Sequence, residues 1–184
     1  MSEAAPDIPP DTKDWTWTLD RTCQECGFTA GEVAAEDVPD LITALTAPWP
    51  EVLRRPDVGV RRRADRWSDL EYACHVRDVC RVFTVRLRLM REQEAPAFPD
   101  FGPDDAALAG RYAEQDPARV VGELGAAAAG LAADYAAVPG DGAGWERTGL
   151  RSDGKEFTVL TLGRYLLHDL AHHLHDVGAG PVEG

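Results

Sequence analysis

Residues 165–176 of the chain are Tyr165-Leu166-Leu167-His168-Asp169-Leu170-Ala171-His172-His173-Leu174-His175-Asp176, and they contain four of its five histidines. The leucines recur every three or four residues, which predicts a helix with one apolar face. On that helix His168 and His172 lie one turn, about 6 Å, apart on the same side, so both imidazoles can point at one metal ion. The plainer alternative is a solvated polar face.

A third ligand has to come from another element, and His75 is the only histidine outside the cluster. Upstream of it, Ser68 and Glu71 have the spacing of a capping box, which predicts a helix over about 69–92. On this helix His75 lies close to the core-facing side. A neutral imidazole there needs either a hydrogen-bond partner, such as a carboxylate, or a metal ion.

Two more helices are predicted upstream of the histidine cluster. Pro39 suits the first turn of a helix over about 38–55 that is interrupted near Pro48. Asp116-Pro117 has the form of a cap followed by a first-turn proline, and this helix continues to about Val138.

The sequence also predicts where the histidine-rich helix begins and ends and what structure two other segments adopt. Thr158 caps the helix, and Gly178 and Gly180 end it. The glycine-rich segment 139–153 is expected to be a loop. Residues 15–19 alternate apolar and polar side chains and predict a short extended segment, with no second run to pair with it.

These elements predict an all-α fold, an antiparallel four-helix bundle preceded by an extended lead-in. The expected division is a lead-in over 1–32 that carries a CxxC motif, a bundle over 33–177 and a flexible tail over 178–184. Residues 1–14 are expected to be disordered or loosely draped.

Charge and hydropathy exclude several functions. The chain has 184 residues and a net charge of −13, so it lacks the basic character that phosphate binding needs, and nucleic acid is not expected as a partner. No apolar run is long enough to span a membrane, and the N-terminus lacks a signal-peptide pattern, so a cytoplasmic protein is expected. Six arginines precede the His75 segment, and we expect them to pair with acids: Arg54, Arg55, Arg61, Arg62, Arg63 and Arg66.

The motif Cys23-Gln24-Glu25-Cys26-Gly27 has the form of half a zinc knuckle. No second CxxC or CxxH pair follows at zinc-ribbon spacing. Three interpretations stay open: a structural turn or buried thiols, a redox or accessory thiol pair, and a metal site, including one shared between chains. A disulfide framework is not expected without a secretory signal.

In a helical bundle, facing helices supply ligands to a common interior point. His75, His168 and His172 would form a three-imidazole site with open positions, which is the pattern of catalytic rather than structural zinc. His173 is rotated by about 100° from His172 and is expected to pair with a surface carboxylate, while His175 suits the rim.

The segment Trp67-Ser68-Asp69-Leu70-Glu71-Tyr72-Ala73-Cys74-His75-Val76-Arg77-Asp78 resembles the W-[ST]-x-x-[DE]-x-x-x-H-x-x-[DE] helix of the DinB-like superfamily. The pattern His168-x-x-x-His172-His173 resembles the HxxxH helix of the same superfamily. The resemblance covers roughly residues 33–177. The Arg-Gly-Gln that often follows the second histidine of HxxxH is replaced here, and the CxxC lead-in is not a general feature of the superfamily.

The resemblance implies a DinB/YfiT-like four-helix bundle in which His75, His168 and His172 bind a divalent ion such as zinc, nickel or iron. It also implies an enzyme: a transferase that uses a low-molecular-weight thiol such as mycothiol, or a metal-dependent hydrolase. Our leading hypothesis is the thiol transferase acting on a small electrophile. The rivals are the hydrolase and a non-catalytic metal-binding or sensing module.

The positions of several other residues suggest roles for them in this hypothesis. Tyr165 lies one turn before His168 and is a candidate hydrogen-bond donor to the substrate. Asp78 or Asp169 is a candidate to orient a ligand imidazole. Arg151, together with Arg147, is a candidate to hold an anionic group. We expect a small-molecule substrate, and analogy with related bundles suggests a homodimer.

Overall fold

The computed structural model describes residues 8–10 and 13–180 and consists mainly of helices. Residues 1–7 and 11–12 of the expected lead-in, and 181–184 of the expected tail, lie outside the described residues. Within the described residues the α-helices are α1 (Val38–Thr46), α2 (Trp49–Val52), α3 (Asp69–Glu92), α4 (Pro103–Ala109), α5 (Pro117–Ala136), α6 (Ala143–Glu146) and α7 (Val159–Asp176). Short 3₁₀ helices span Trp15–Leu19, Ala30–Glu32, Ala35–Asp37 and Tyr112–Glu114.

Four of these helices, α1, α3, α5 and α7, form the framework of the molecule. α3 packs on α5 and α7, and α1 packs on the same two helices, so each helix touches two neighbours. The apolar faces meet in one core, whose largest fully buried side chains include Trp49, Tyr135 and Leu166. The prediction of a helical bundle is confirmed, because the structure is mostly helical and four of its helices surround the core.

Helix α3 begins and ends where the sequence predicts. The Ser68 hydroxyl accepts from the Glu71 N–H at 3.3 Å, and the Glu71 carboxylate accepts from the Ser68 N–H at 2.8 Å, which is the predicted capping box. The predicted cap of α7 is also present, with Thr158 accepting from the Thr161 N–H at 3.0 Å. Helix α7 ends at Asp176, two residues before Gly178, whose φ of +63° suits a glycine.

Two local predictions are wrong. Residues 15–19 form a 3₁₀ turn instead of an extended segment, because the Asp14 carboxylate caps it by accepting from the Thr16 N–H at 3.0 Å. The segment expected to be a loop contains β1 (Thr148–Leu150), which pairs antiparallel with β2 (Glu156–Thr158). Gly149 lies at the centre of β1, where Phe98 packs so closely that a side chain would not fit.

The lead-in packs against the bundle. Its 3₁₀ helices Trp15–Leu19 and Ala30–Glu32 both contact α7. Arg164 on α7 donates two hydrogen bonds to the Val33 carbonyl, at 2.9 and 2.7 Å. The N-terminal segment is thereby brought next to the histidine-rich helix.

Two predictions about charge and membrane spans are also tested. Each of the six arginines between positions 54 and 66 is paired with an acid, as expected. Among the described residues, no helix is long and apolar enough to cross a membrane.

Candidate functional site

Four of the five histidines, all except His175, fall into two clusters of side chains that could bind a metal ion, and both clusters use α7. The first, called the His75 cluster, consists of His75 on α3 with Asp169 and His173 on α7. The second, called the Cys23 cluster, consists of Cys23 and Cys26 from the lead-in with His168 and His172 on α7. In each cluster the candidate ligand atoms all lie within 4.8 Å of one another.

The His75 cluster is centred on the carboxylate of Asp169. Its Oδ2 lies 3.8 Å from Nε2 of His75, and its Oδ1 lies 3.5 Å from Nε2 of His173. The other ring nitrogen of His173, Nδ1, is 2.9 Å from Asp176 Oδ2. When Nδ1 carries the proton and donates to Asp176, Nε2 of His173 is free to bind a cation beside Asp169.

Burial and neighbouring charges set the protonation of this cluster. Burial, together with repulsion from His173, lowers the pKa of His75 to about 4, so its ring is neutral at pH 7. Burial also disfavours a charged His173, but Asp169 and Asp176 outweigh it and raise the pKa of His173 to about 10. Burial disfavours a charged Asp169 as well, yet the His173 cation holds the pKa of Asp169 well below its usual range. Without a metal ion, His173 is therefore a cation held between two carboxylates, and an ion that binds its Nε2 takes the place of that proton.

The Cys23 cluster joins segments far apart in sequence. Cys23 Sγ lies 3.8 Å from Nδ1 of His172, and Nε2 of His172 lies 3.7 Å from the Glu25 carboxylate. Burial, followed by repulsion from His172, lowers the pKa of His168 to about 4, so this ring is also neutral at pH 7. The ring of Trp15 covers both imidazoles, with centroids 5.6 Å from His168 and 4.9 Å from His172.

The predicted ligands His75, His168 and His172 are thus divided between the two clusters. His168 and His172 share a face, as their spacing predicts, but that face meets the CxxC motif of the lead-in. The face that meets His75 is one residue further on and carries Asp169 and His173. His173 does pair with a carboxylate, as predicted. That carboxylate is not on the surface, because the side chain of Asp176 is only 4% exposed.

The other predicted site residues occupy distinct positions. Tyr165 lines the cavity described below. Asp169, one of the two candidates to orient an imidazole, contacts His75 and His173 directly. The carboxylate of Asp78, the other candidate, accepts instead from Arg77 at 2.8 Å and from the Tyr112 hydroxyl at 2.5 Å.

The two candidate arginines are engaged within the protein. Arg151 pairs with Asp153 at 2.6 Å and lies over the rings of Phe157 and Tyr165. Arg147 donates to the carbonyls of Met90 and Gln93, which close the end of α3.

A cavity of about 450 Å³ lies over both clusters. Its walls are aromatic and charged and include Lys13, Trp15, Arg66, Trp67, Tyr72 and Asp104. All three residues of the His75 cluster line it, as do His168 and His172. A volume in this range suits a small organic ligand.

Comparison with known proteins assigns the chain to a family. A family model described as the DinB superfamily matches residues 32–177. The chain belongs to the DinB superfamily. The match begins after Cys26, so the CxxC motif of this DinB protein lies outside the part that the family model matches.

The fold of this DinB protein is similar to that of YfiT from Bacillus subtilis, with a TM-score of 0.59 and 17% sequence identity over 92% of this chain and 89% of that one. YfiT is described as "a probable metal-dependent hydrolase with an unusual four-helix bundle topology". At this identity the likeness shows the fold. No curated protein matches the chain.

Proposed function

We propose that this DinB protein is a metal-dependent enzyme, a hydrolase of a small molecule, in which His75, Asp169 and His173 hold the divalent ion at the cavity wall. The single observation that carries the proposal is the contact of Asp176 with His173 Nδ1 at 2.9 Å, which leaves Nε2 directed at Asp169. A carboxylate behind a histidine is the usual support of a metal-binding imidazole.

The residues present fit a metal ion. Asp169 Oδ2 is buried without a hydrogen-bond partner among the described residues, and a buried carboxylate oxygen in that condition is costly unless a cation meets it. Two imidazoles and one carboxylate form a ligand set used by catalytic zinc and by non-haem iron, with positions left open. A divalent ion supplies Lewis acidity and lowers the pKa of a water or thiol that it contacts.

The surrounding side chains orient and cover the candidate metal ligands. Burial disfavours a charged Asp176, but the contact with His173 and, to a smaller extent, the ion pair with Arg66 lower the pKa of Asp176, so it is ionised and accepts from His173. The rings of Trp67 and Phe101 lie on His75, with centroids 5.2 and 6.2 Å from its ring. These apolar surfaces pack against His75, which is only 4% exposed, and restrict the orientation of its ring.

The composition of the ligand set favours water as the nucleophile. Two imidazoles and one carboxylate are the ligands of hydrolytic zinc enzymes, in which water bound at the open position attacks the substrate. We therefore rank the hydrolase above the thiol transferase.

The thiol transferase is the second candidate, and the cavity favours it. A volume of about 450 Å³ with aromatic walls and cationic Lys13 and Arg66 leaves room for a low-molecular-weight thiol beside an electrophile. A transferase of this kind uses the same three ligands, so only the co-substrate separates the two candidates.

The experiment compares wild-type protein with Asp169→Asn and His75→Ala for bound metal and turnover. A panel of small esters and amides is assayed with and without mycothiol, and a panel of small electrophiles is assayed with mycothiol. We expect both variants to lose one equivalent of metal and any turnover that the wild type shows. If the protein is a hydrolase, the wild type turns over its substrate without mycothiol. Asp153→Asn, a change at an exposed carboxylate paired with Arg151, is the matched control.

Two results would count against the proposal. Full metal content in both variants would exclude the ligand set. Loss of metal with unchanged turnover would favour the non-catalytic metal-binding or sensing module.

A further inference from the structure

We propose a second metal site in this protein: Cys23, Cys26, His168 and His172 bind one zinc ion, which fastens the N-terminal segment to α7. The site is separate from the His75 cluster and does not depend on the proposed enzymatic function.

The spacing of the four side chains suits a tetrahedral ion. Zinc binds sulfur at about 2.3 Å and nitrogen at about 2.0–2.1 Å, so tetrahedral ligand atoms lie roughly 3.3–3.8 Å apart. The four candidate atoms lie within 4.8 Å of one another, and Cys23 Sγ and His172 Nδ1 are 3.8 Å apart. Binding needs only small side-chain movements.

The CxxC segment is folded into a turn that presents both thiols on one side. The Gly27 N–H donates to the Cys23 carbonyl at 2.9 Å, and the Cys23 N–H donates to the Phe28 carbonyl at 3.0 Å. Gly27 has a φ of +73°, which an L side chain rarely adopts, so the glycine after the second cysteine is required by the turn.

An unpartnered polar atom points to a ligand at this place. His168 is only 3% exposed, and its Nε2 is buried without a hydrogen-bond partner among the described residues. A buried ring nitrogen in this condition costs free energy unless a cation or a donor meets it. On the opposite side, Glu25 lies 3.7 Å from Nε2 of His172 and is placed to fix the tautomer in which Nδ1 faces the thiols.

The donor set selects the ion and its role. Two thiolates and two neutral imidazoles are soft and borderline ligands that suit zinc and disfavour magnesium or calcium. Their two negative charges balance a divalent ion, so the filled site buries no net charge. Four protein ligands leave no open position, which is the pattern of a structural ion.

The position of the site gives the ion a function. The segment that it fastens carries Lys13, Trp15 and Glu25, and these three side chains form part of the cavity wall. This segment precedes the residues that the superfamily model matches, 32–177. The zinc ion therefore holds part of the wall of the cavity that lies over the DinB bundle.

The test is cobalt substitution in the full-length protein, after the metal has been removed and the thiols reduced. We expect one of the Co²⁺ ions that the wild type binds to give an intense thiolate-to-cobalt charge-transfer band and tetrahedral visible bands. The band should persist in His75→Ala and disappear in Cys26→Ser and in His172→Gln. Cys74→Ala, which removes a buried thiol outside both clusters, is the matched control and should retain the band.

The wild-type titration is decisive even if a variant fails to fold. Absence of the charge-transfer band at saturating Co²⁺, with the thiols shown to be reduced, would overturn the proposal. So would a band that survives in Cys26→Ser, or a Cys23–Cys26 disulfide in protein purified without oxidant and unaffected by zinc, which would indicate a redox pair.

Discussion

Asp176 Oδ2 lies 2.9 Å from Nδ1 of His173. Both residues are in the last turn and a half of α7, and their contact fixes which ring nitrogen of His173 is available to a metal ion. Asp176 is also tied to Arg66 in the loop before α3. One carboxylate thus couples the orientation of a candidate ligand to the packing of that loop on the end of α7.

The first prediction tests this coupling. Asp176→Asn keeps the shape of the side chain but weakens the hydrogen bond to His173 and leaves Arg66 without its charge partner. We expect metal affinity at the His75 cluster to fall about 10–100-fold, as is usual when the support of a metal-binding histidine is removed. Competition with a chromophoric chelator measures the change.

Its control is Asp134→Asn, which removes the surface partner of Arg88 and should leave the affinity unchanged. An unaltered affinity in Asp176→Asn would mean that His173 is not a ligand. The thiolate-to-cobalt band of the Cys23 cluster should be the same in both variants.

Much of the fold is predictable from local sequence, because helix boundaries depend on residues near them. Ser68 and Glu71 define the start of α3 through hydrogen bonds within four residues. The β1–β2 hairpin is different. Its short strands are held by Phe98, whose N–H donates to the Leu150 carbonyl at 2.7 Å across some fifty residues, and no local pattern predicts that contact.

Local sequence predicts even less of the candidate site, because its residues meet through tertiary packing. Helix α7 carries two overlapping pairs at a spacing of four, His168 with His172 and Asp169 with His173, rotated from each other by about 100°. Spacing identifies both pairs, but the rotation of α7 against α3 decides which of them meets His75. That rotation is set by tertiary packing. The contact between Cys23 and His172, 149 residues apart, is equally non-local.

A second prediction concerns the pH dependence of stability. Burial disfavours a charged Glu71, but its bonds from Arg61, at 2.9 Å, and from the Ser68 N–H outweigh burial and lower the pKa of Glu71. A lowered folded-state pKa contributes stability above the ordinary glutamate pKa, and this contribution is lost as the pH falls through the folded-state value. We expect Glu71→Gln to cost about 1.5–3 kcal/mol of unfolding free energy at pH 7, with a smaller difference at pH 4.

Urea unfolding of both proteins in excess chelator measures this difference. Glu51→Gln is the control, because Glu51 pairs with Arg54 on the surface with a side chain 81% exposed. An exposed pair of that kind contributes little, so this variant should unfold like the wild type at both pH values. An equal loss for Glu71→Gln at pH 7 and pH 4 would contradict the assigned ionisation.

A third prediction uses two glycines with opposite surroundings. At Gly149 a Cβ would lie 2.4 Å from Cζ of Phe98 and 2.9 Å from Cγ of Met90, so Gly149→Ala should destabilise the protein by about 1–3 kcal/mol. At Gly130, in α5, a Cβ would meet nothing within 4 Å. Gly130→Ala should therefore stabilise it by about 0.4–1 kcal/mol. Thermal and urea unfolding report both signs, and a neutral Gly149→Ala would show that the hairpin does not rest on Phe98.

The last prediction follows from the different closure of the two metal sites. The His75 cluster offers three protein ligands and faces the cavity, whereas the Cys23 cluster offers four, two of which are thiolates. In a series of increasingly strong chelators, metal should therefore leave the His75 cluster first. Hydrogen exchange across residues 13–32 should stay slow through that first loss and rise only when the second ion leaves, because the second ion fastens this segment to α7. In Cys26→Ser the same segment should exchange fast from the start, while α3 and α5 keep the protection of the wild type. Fast exchange of residues 13–32 after the first ion alone has been removed would show that the segment is held by the His75 cluster instead, and the assignment of a fastening role to the cysteines would fail.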